Sequence, residues 1–171
     1  RDCLLSRGLG DVYKRQVPYM DYFTLQFFFV LLAGLILGAD KGAISVGCYV
    51  LLGLVGVPIF AAGGGIGYIF RPSFGYLVGF IVSAYVTGKV CEKLKASYKN
   101  YLLACLAGFV VTYAIGIVYK FIILNFYAHT PATLGVIFLS CFPLDMPGDF
   151  VLCLLAAGVG LRMRKSGFYL S

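Results

Sequence analysis

Asp149 heads a stretch, residues 150–161, that is otherwise free of charge. A carboxylate at the start of a membrane helix is costly unless it is solvated, paired or bound to a ligand. Two roles fit it. It could face the positive end of the helix dipole as a first-turn acid, or accept hydrogen bonds from polar N–H groups of a ligand. Asp145, four residues earlier, reads as solvated. A second unusual segment is residues 58–74, PIFAAGGGIGYIFRPSF. It carries glycine at 63, 64, 65 and 67, proline at 58 and 72, and a single charge, Arg71. Such glycines let backbone N–H groups approach a small ligand closely, and the same composition fits a helix break with close packing. Arg71 at its end could pair with a ligand carboxylate or face lipid headgroups. Lys120 is expected to snorkel to the outer interface, and His129 to be solvated.

The chemistry these residues exclude is as informative. Hydrolysis or group transfer needs a nucleophile with its base, paired carboxylates or a metal cluster. The sequence has no Ser–His pairing with an orienting acid, no H-E-x-x-H and no acidic pair within a helix. The glycine segment is no nucleotide fingerprint, since neither G-x-G-x-x-G nor G-x-x-x-x-G-K-[ST] occurs. The six cysteines, at 3, 48, 91, 105, 141 and 153, include no C-x-x-C pair and lie mostly in apolar runs. They read as small core residues. No metal site, no cofactor and no nucleic-acid surface is expected.

The elements that position these residues follow from composition. The 171 residues are 61% hydrophobic and 12% charged, against about 25% charged for a soluble domain. The expected solvent is the bilayer, and at about 20 residues per span the length allows six or seven helices. The apolar runs predict five, near residues 22–39, 42–57, 75–92, 100–127 and 147–165. Asp40-Lys41 is expected to be a minimal turn, and Pro58 to end the second helix. Irregular backbone at membrane depth is tolerated only inside protein or along a cavity. Residues 58–74 are therefore expected to form a re-entrant loop or a cap over a pocket. Residues 134–142 are apolar enough for a short helix in the long fourth connection.

Residues 1–16 differ from the rest. They hold four basic and two acidic residues and no sustained apolar run. They lack the apolar stretch of a secretory signal and resemble translated adapter read-through. We expect this segment to be non-native, and residues 17–171 to form the membrane domain. Beyond residue 16 there are ten Lys/Arg and five Asp/Glu. Seven of the ten sit at Lys89, Lys93, Lys95, Lys99, Arg162, Arg164 and Lys165. The excess of Lys and Arg in cytoplasmic loops predicts that the 89–100 loop and the C-terminus face the cytoplasm. Asp40-Lys41 then also falls inside, while the glycine segment and the 128–148 connection fall outside.

Residues 24–80 carry a specific pattern. It comprises Thr24-Leu25-Gln26, Leu31-Leu32-Ala33-Gly34, Gly38, Gly42-Ala43 and Gly56-Val57-Pro58-Ile59-Phe60-Ala61. Glycines 63–65 and 67, Pro72, Gly75-Tyr76-Leu77 and Gly79-Phe80 complete it. This order and spacing resembles the biotin transporter BioY family, the substrate-binding (S) components of energy-coupling factor (ECF) transporters. Residues 142–157, with Pro147-Gly148-Asp149, are similar to the family's last helix. The resemblance implies an all-α membrane protein, an ECF S-component-like helical bundle with five of the expected six transmembrane helices present. The missing first helix would precede Val17.

The resemblance further implies a biotin pocket near the outer face. Asp149 would accept from the ureido N–H groups. Gln26, Phe60, Gly64, Gly65, Gly67, Tyr68, Tyr76 and Tyr119 would line or close the pocket. Family members commonly carry a lysine three residues after the last-helix aspartate, where this chain has Leu152. Arg71 is expected to supply the positive charge instead. The implied partners are biotin, a transmembrane coupling subunit, two ATPase subunits and the lipid bilayer. The implied location is the bacterial plasma membrane, multi-pass. The alternatives are an S component for another vitamin, such as thiamin or riboflavin, or else a membrane structural protein or enzyme. Small-x-x-x-small pairs at Gly34/Gly38, Ala43/Gly47 and Ala156/Gly160 are expected to report internal packing.

Overall fold

The computed structural model describes residues 25–60, 64–127, 137 and 145–167. Expectations for residues 1–16, for His129 and, residue 137 apart, for a helix at 134–142 lie outside the described residues. Among the described residues five α-helices follow one another: α1 (Gln26–Leu37), α2 (Ala39–Val55), α3 (Phe74–Lys93), α4 (Tyr98–Ile122) and α5 (Asp145–Lys165). A 3-10 turn, Ile66–Phe70, precedes α3, and a π turn, Ile123–Tyr127, extends α4. Among the described residues every regular element is helical. That is what a bilayer demands, because a helix satisfies its backbone groups within its own segment.

Among the described residues three segments are long and apolar enough to cross a membrane: Phe74–Lys93, Tyr98–Phe126 and Met146–Lys165. Gln26–Leu37 is a shorter apolar helix. Large apolar side chains point outward along the bundle, among them Phe29, Ile44, Leu51, Val55, Val110 and Val118. In water such a surface would drive association. Against hydrocarbon it is matched to its solvent.

Helix α3 packs against α1, α2 and α4, and α5 closes the bundle against α1 and α4. Small residues let these helices approach. A Cβ added at Gly34 would lie 2.6 Å from the Ala84 carbonyl oxygen, and one at Gly79 would lie 3.0 Å from that of Thr112. Gly160 sits against Leu35, whereas Gly47 faces open space and takes no part in packing. The buried stripe of α4 runs Tyr101, Ala104, Cys105, Gly108, Thr112, Tyr113, Gly116 and Lys120, the 3–4 spacing of one helix face.

The structure corrects three expectations. The break between the first two helices is at Gly38, not at Asp40-Lys41. Gly38 has φ +81°, a conformation that glycine takes without the Cβ penalty. Asp40 and Lys41 lie in the first turn of α2, where an acid favours the dipole. The second helix stops at Val55 before Pro58 can act, because Gly56 takes φ +120° and its N–H turns back to the Gly53 carbonyl at 3.3 Å. Lys120 does not snorkel. It is 2% exposed, because it falls on the buried stripe of α4 rather than on the lipid face.

One end of the bundle gathers the Gly38 break, the α3–α4 loop and the end of α5. The Ala39 N–H donates to Glu92 Oε1 at 2.9 Å. Arg164 donates to the Tyr101 hydroxyl at 2.9 Å and lies 3.8 Å from Cys91 Sγ. The glycine segment and the start of α5 belong to the opposite end, since α1, α3 and α5 run toward the Gly38 end and α2 and α4 run away from it.

Candidate ligand site at the glycine-loop end

The glycine loop is anchored by α2. The Gly65 N–H donates to the Gly53 carbonyl at 2.7 Å. Gly64 lies so close to the Val57 and Gly53 carbonyls that a side chain there would collide with them. Gly53 in turn leaves room for the ring of Phe60. Gly67 differs, because a Cβ there would meet nothing within 4 Å. Phe60 and Tyr68 are buried, with ring centroids 4.7 Å apart.

Gln26, at the start of α1, donates to the Tyr49 hydroxyl. Tyr49 passes the chain on, donating to the Ile59 carbonyl at 2.8 Å. Its ring packs edge-on against Phe60 at 5.9 Å. A run of four residues thus ties α1, α2 and the loop together. Tyr49 was not singled out from the sequence. The signal was available, since a tyrosine in an apolar run needs a partner for its hydroxyl.

The loop's second anchor is Tyr119 on α4. Its hydroxyl donates to the Ile69 carbonyl at 2.5 Å, and its Cβ lies against Gly75. Phe74 packs on the same ring at 5.8 Å. Tyr119 therefore supports the loop from below. Arg71 is exposed at the loop's end, with its guanidinium carbon 5.5 Å from the Tyr68 ring centroid.

Asp149 is the fifth residue of α5, one turn in from Asp145 rather than in the first turn, and is partly exposed. Tyr113 on α4 donates to its Oδ2 at 2.8 Å. Tyr76, from α3, packs edge-on against Tyr113 at 5.8 Å, and Gly116 leaves the space its ring occupies. Phe109 stacks on Tyr113 at 4.7 Å and reaches Phe27 at 6.3 Å. Phe27 is the neighbour of Gln26, so this aromatic run links the two halves of the site. Leu152 is buried in the core and offers no charge. Among the described residues no group of three His, Cys, Asp or Glu could hold a metal. Among the described residues the site offers aromatic walls, hydroxyls, the Asp149 carboxylate and the exposed Arg71 guanidinium. That inventory suits binding of a small, partly apolar molecule.

Comparison with known proteins fixes the family. A family model described as the BioY family matches residues 12–167. The chain belongs to the BioY family. A BioY relative from Lysinibacillus sphaericus, named "Probable biotin transporter BioY", is 36% identical over 159 residues, 92% of this chain and 81% of the relative. The "Biotin transporter BioY" of Thermotoga maritima is 39% identical over 147 residues, 84% of this chain and 80% of the relative. Among solved structures, the S-component for biotin from an ECF-type ABC transporter superposes with a TM-score of 0.74 at 26% identity. The match covers 86% of this chain and 78% of that one. The BioY fold is thus an ECF S-component-like helical bundle.

Proposed function

We propose that this BioY family chain captures biotin with high affinity and mediates its uptake as the S component of an ECF-type transporter. The observation that carries the reading is the joint match in sequence and fold. Relatives named biotin transporters are more than a third identical to this chain over most of its length. A solved S-component for biotin shares its fold. The family is one of transporter components, and the sequence holds no phosphate-binding loop of the Walker type. Energy therefore comes from partners, a transmembrane coupling subunit and two ATPase subunits.

In this reading Asp149 accepts hydrogen bonds from the ureido N–H groups of biotin. Phe60, Tyr68 and Tyr76 bury its ring system and tail, Gly64, Gly65 and Gly67 belong to the closing loop, and Gln26 at the start of α1 steadies that loop through Tyr49. Tyr119 acts by holding Ile69 and the loop in place. Arg71 meets the ligand's carboxylate, because Leu152 offers no charge at the position where relatives commonly have lysine. The Arg164–Tyr101 end is cytoplasmic and the glycine loop external, since seven of the ten basic residues beyond residue 16 lie at the former end. The membrane is the bacterial plasma membrane.

The test is titration of the purified protein in nanodiscs with biotin, comparing wild type with Asp149→Asn. Loss of a charge-assisted acceptor is worth about 1.5–3 kcal/mol, or roughly tenfold to a hundredfold in affinity. Unchanged affinity in Asp149→Asn would show that this carboxylate does not meet the ligand.

A further inference from the structure

The Tyr113–Asp149 hydrogen bond joins α4 to α5 at the candidate site, and its donor is held on all sides. Tyr113 is 5% exposed. Phe109 packs on one side of its ring at 4.7 Å, and Tyr76 meets it edge-on at 5.8 Å. Tyr76 is itself lodged against Gly116, one turn along α4 from Tyr113. The hydroxyl is therefore delivered to one place, 2.8 Å from Asp149 Oδ2. Asp149, in contrast, is partly exposed near the start of its helix.

We infer that Tyr113 is a positioning residue for ligand capture: its hydroxyl holds the Asp149 carboxylate in the rotamer that receives the ligand's N–H groups. This rests on the reading of Asp149 as the ligand's acceptor. A hydrogen bond from a neutral hydroxyl to a carboxylate is charge-assisted and short. A carboxylate has about four acceptor sites, and the Tyr113 hydroxyl occupies one of them. Orienting the carboxylate beforehand removes an ordering cost that binding would otherwise carry. Binding sites keep their geometry when their contact groups are locked by a supporting layer of hydrogen bonds and packing. Tyr113 has that place here, with Phe109 and Tyr76 supporting it in turn.

The experiment is a double-mutant cycle on the full chain in nanodiscs, titrated with biotin: wild type, Tyr113→Phe, Asp149→Asn and both together. Tyr113→Phe keeps the ring and its packing and removes only the hydroxyl. The expected result is about tenfold weaker binding for Tyr113→Phe, the size of a lost charge-assisted hydrogen bond. The double variant should bind no more weakly than Asp149→Asn alone, since the hydroxyl then has no carboxylate to position. A purely structural role would make the two losses multiply, and that result would overturn the inference. So would wild-type affinity in Tyr113→Phe when Asp149→Asn is impaired. Wild-type affinity in Asp149→Asn would instead overturn the reading of the site, and the inference with it. If Tyr113→Phe does not survive purification, retention of labelled biotin by cells, normalised to the protein in their membranes, decides between the same outcomes.

Discussion

The guanidinium of Arg71 lies over the ring of Tyr68, with its carbon 5.5 Å from the ring centroid. Tyr68 is buried, packs against Phe60 and takes a hydrogen bond from Ser73 Oγ at 3.4 Å. An exposed cation is thus fixed to the aromatic part of the glycine loop. If Arg71 meets the ligand carboxylate, Arg71→Ala weakens biotin binding about fivefold, near the upper end for an exposed ion pair. The difference between the two proteins should shrink as salt is raised. Isothermal titration at two salt concentrations measures both effects, and unchanged affinity in Arg71→Ala would remove Arg71 from the site.

Gly75 and Gly67 make a matched pair for stability. An added Cβ at Gly75 runs into Tyr119, while at Gly67 it meets open space. Gly75→Ala should destabilise the protein by about 1–3 kcal/mol, the usual range for overpacking. Gly67→Ala should leave the melting temperature within a degree or so of wild type. Gly38→Ala belongs with Gly75→Ala. A non-glycine residue at its φ of +81° costs about 1–2 kcal/mol. Thermal melts of the three variants in one detergent rank them directly.

Cys91, Cys105 and Cys153 are buried, and Cys48 is exposed. Cys48 shares the outward face of α2 with Ile44 and Leu51, so an apolar maleimide should label it in the folded protein in detergent and should label the other three only on unfolding. Variants with Cys3 and Cys141 replaced by serine isolate these four. Rapid labelling of Cys105 or Cys153 without heating would contradict the packing of α4 against α5.

The end marked by Arg164 and Tyr101 should face the cytoplasm. A C-terminal green fluorescent protein should then fluoresce in cells, and a C-terminal alkaline phosphatase should be inactive. The reverse pattern would invert the orientation.

Much of this arrangement was legible in the sequence, because membrane helices announce themselves as uncharged runs. The order of glycines and prolines across residues 24–80 pointed to the family. What escaped was of two kinds. Gly38 and Gly56 set the helix ends, but charge at Asp40-Lys41 and the ring of Pro58 are louder local signals. Glycine dihedrals become visible only in the folded chain. The other kind is long-range pairing. Tyr49 and Tyr113 have partners at Ile59 and Asp149, 10 and 36 residues away, and no local pattern encodes such a distance. Lys120 was misplaced because its position on the α4 stripe depends on the helix phase, which Gly108, Thr112 and Gly116 fix by packing.

The central claim is biotin capture, and the most direct test is the affinity of the purified wild-type protein for biotin, thiamin and riboflavin side by side. Biotin should bind well below micromolar, and the other two should not compete with it. Failure to bind biotin below micromolar, together with tight binding of another vitamin, would contradict the account.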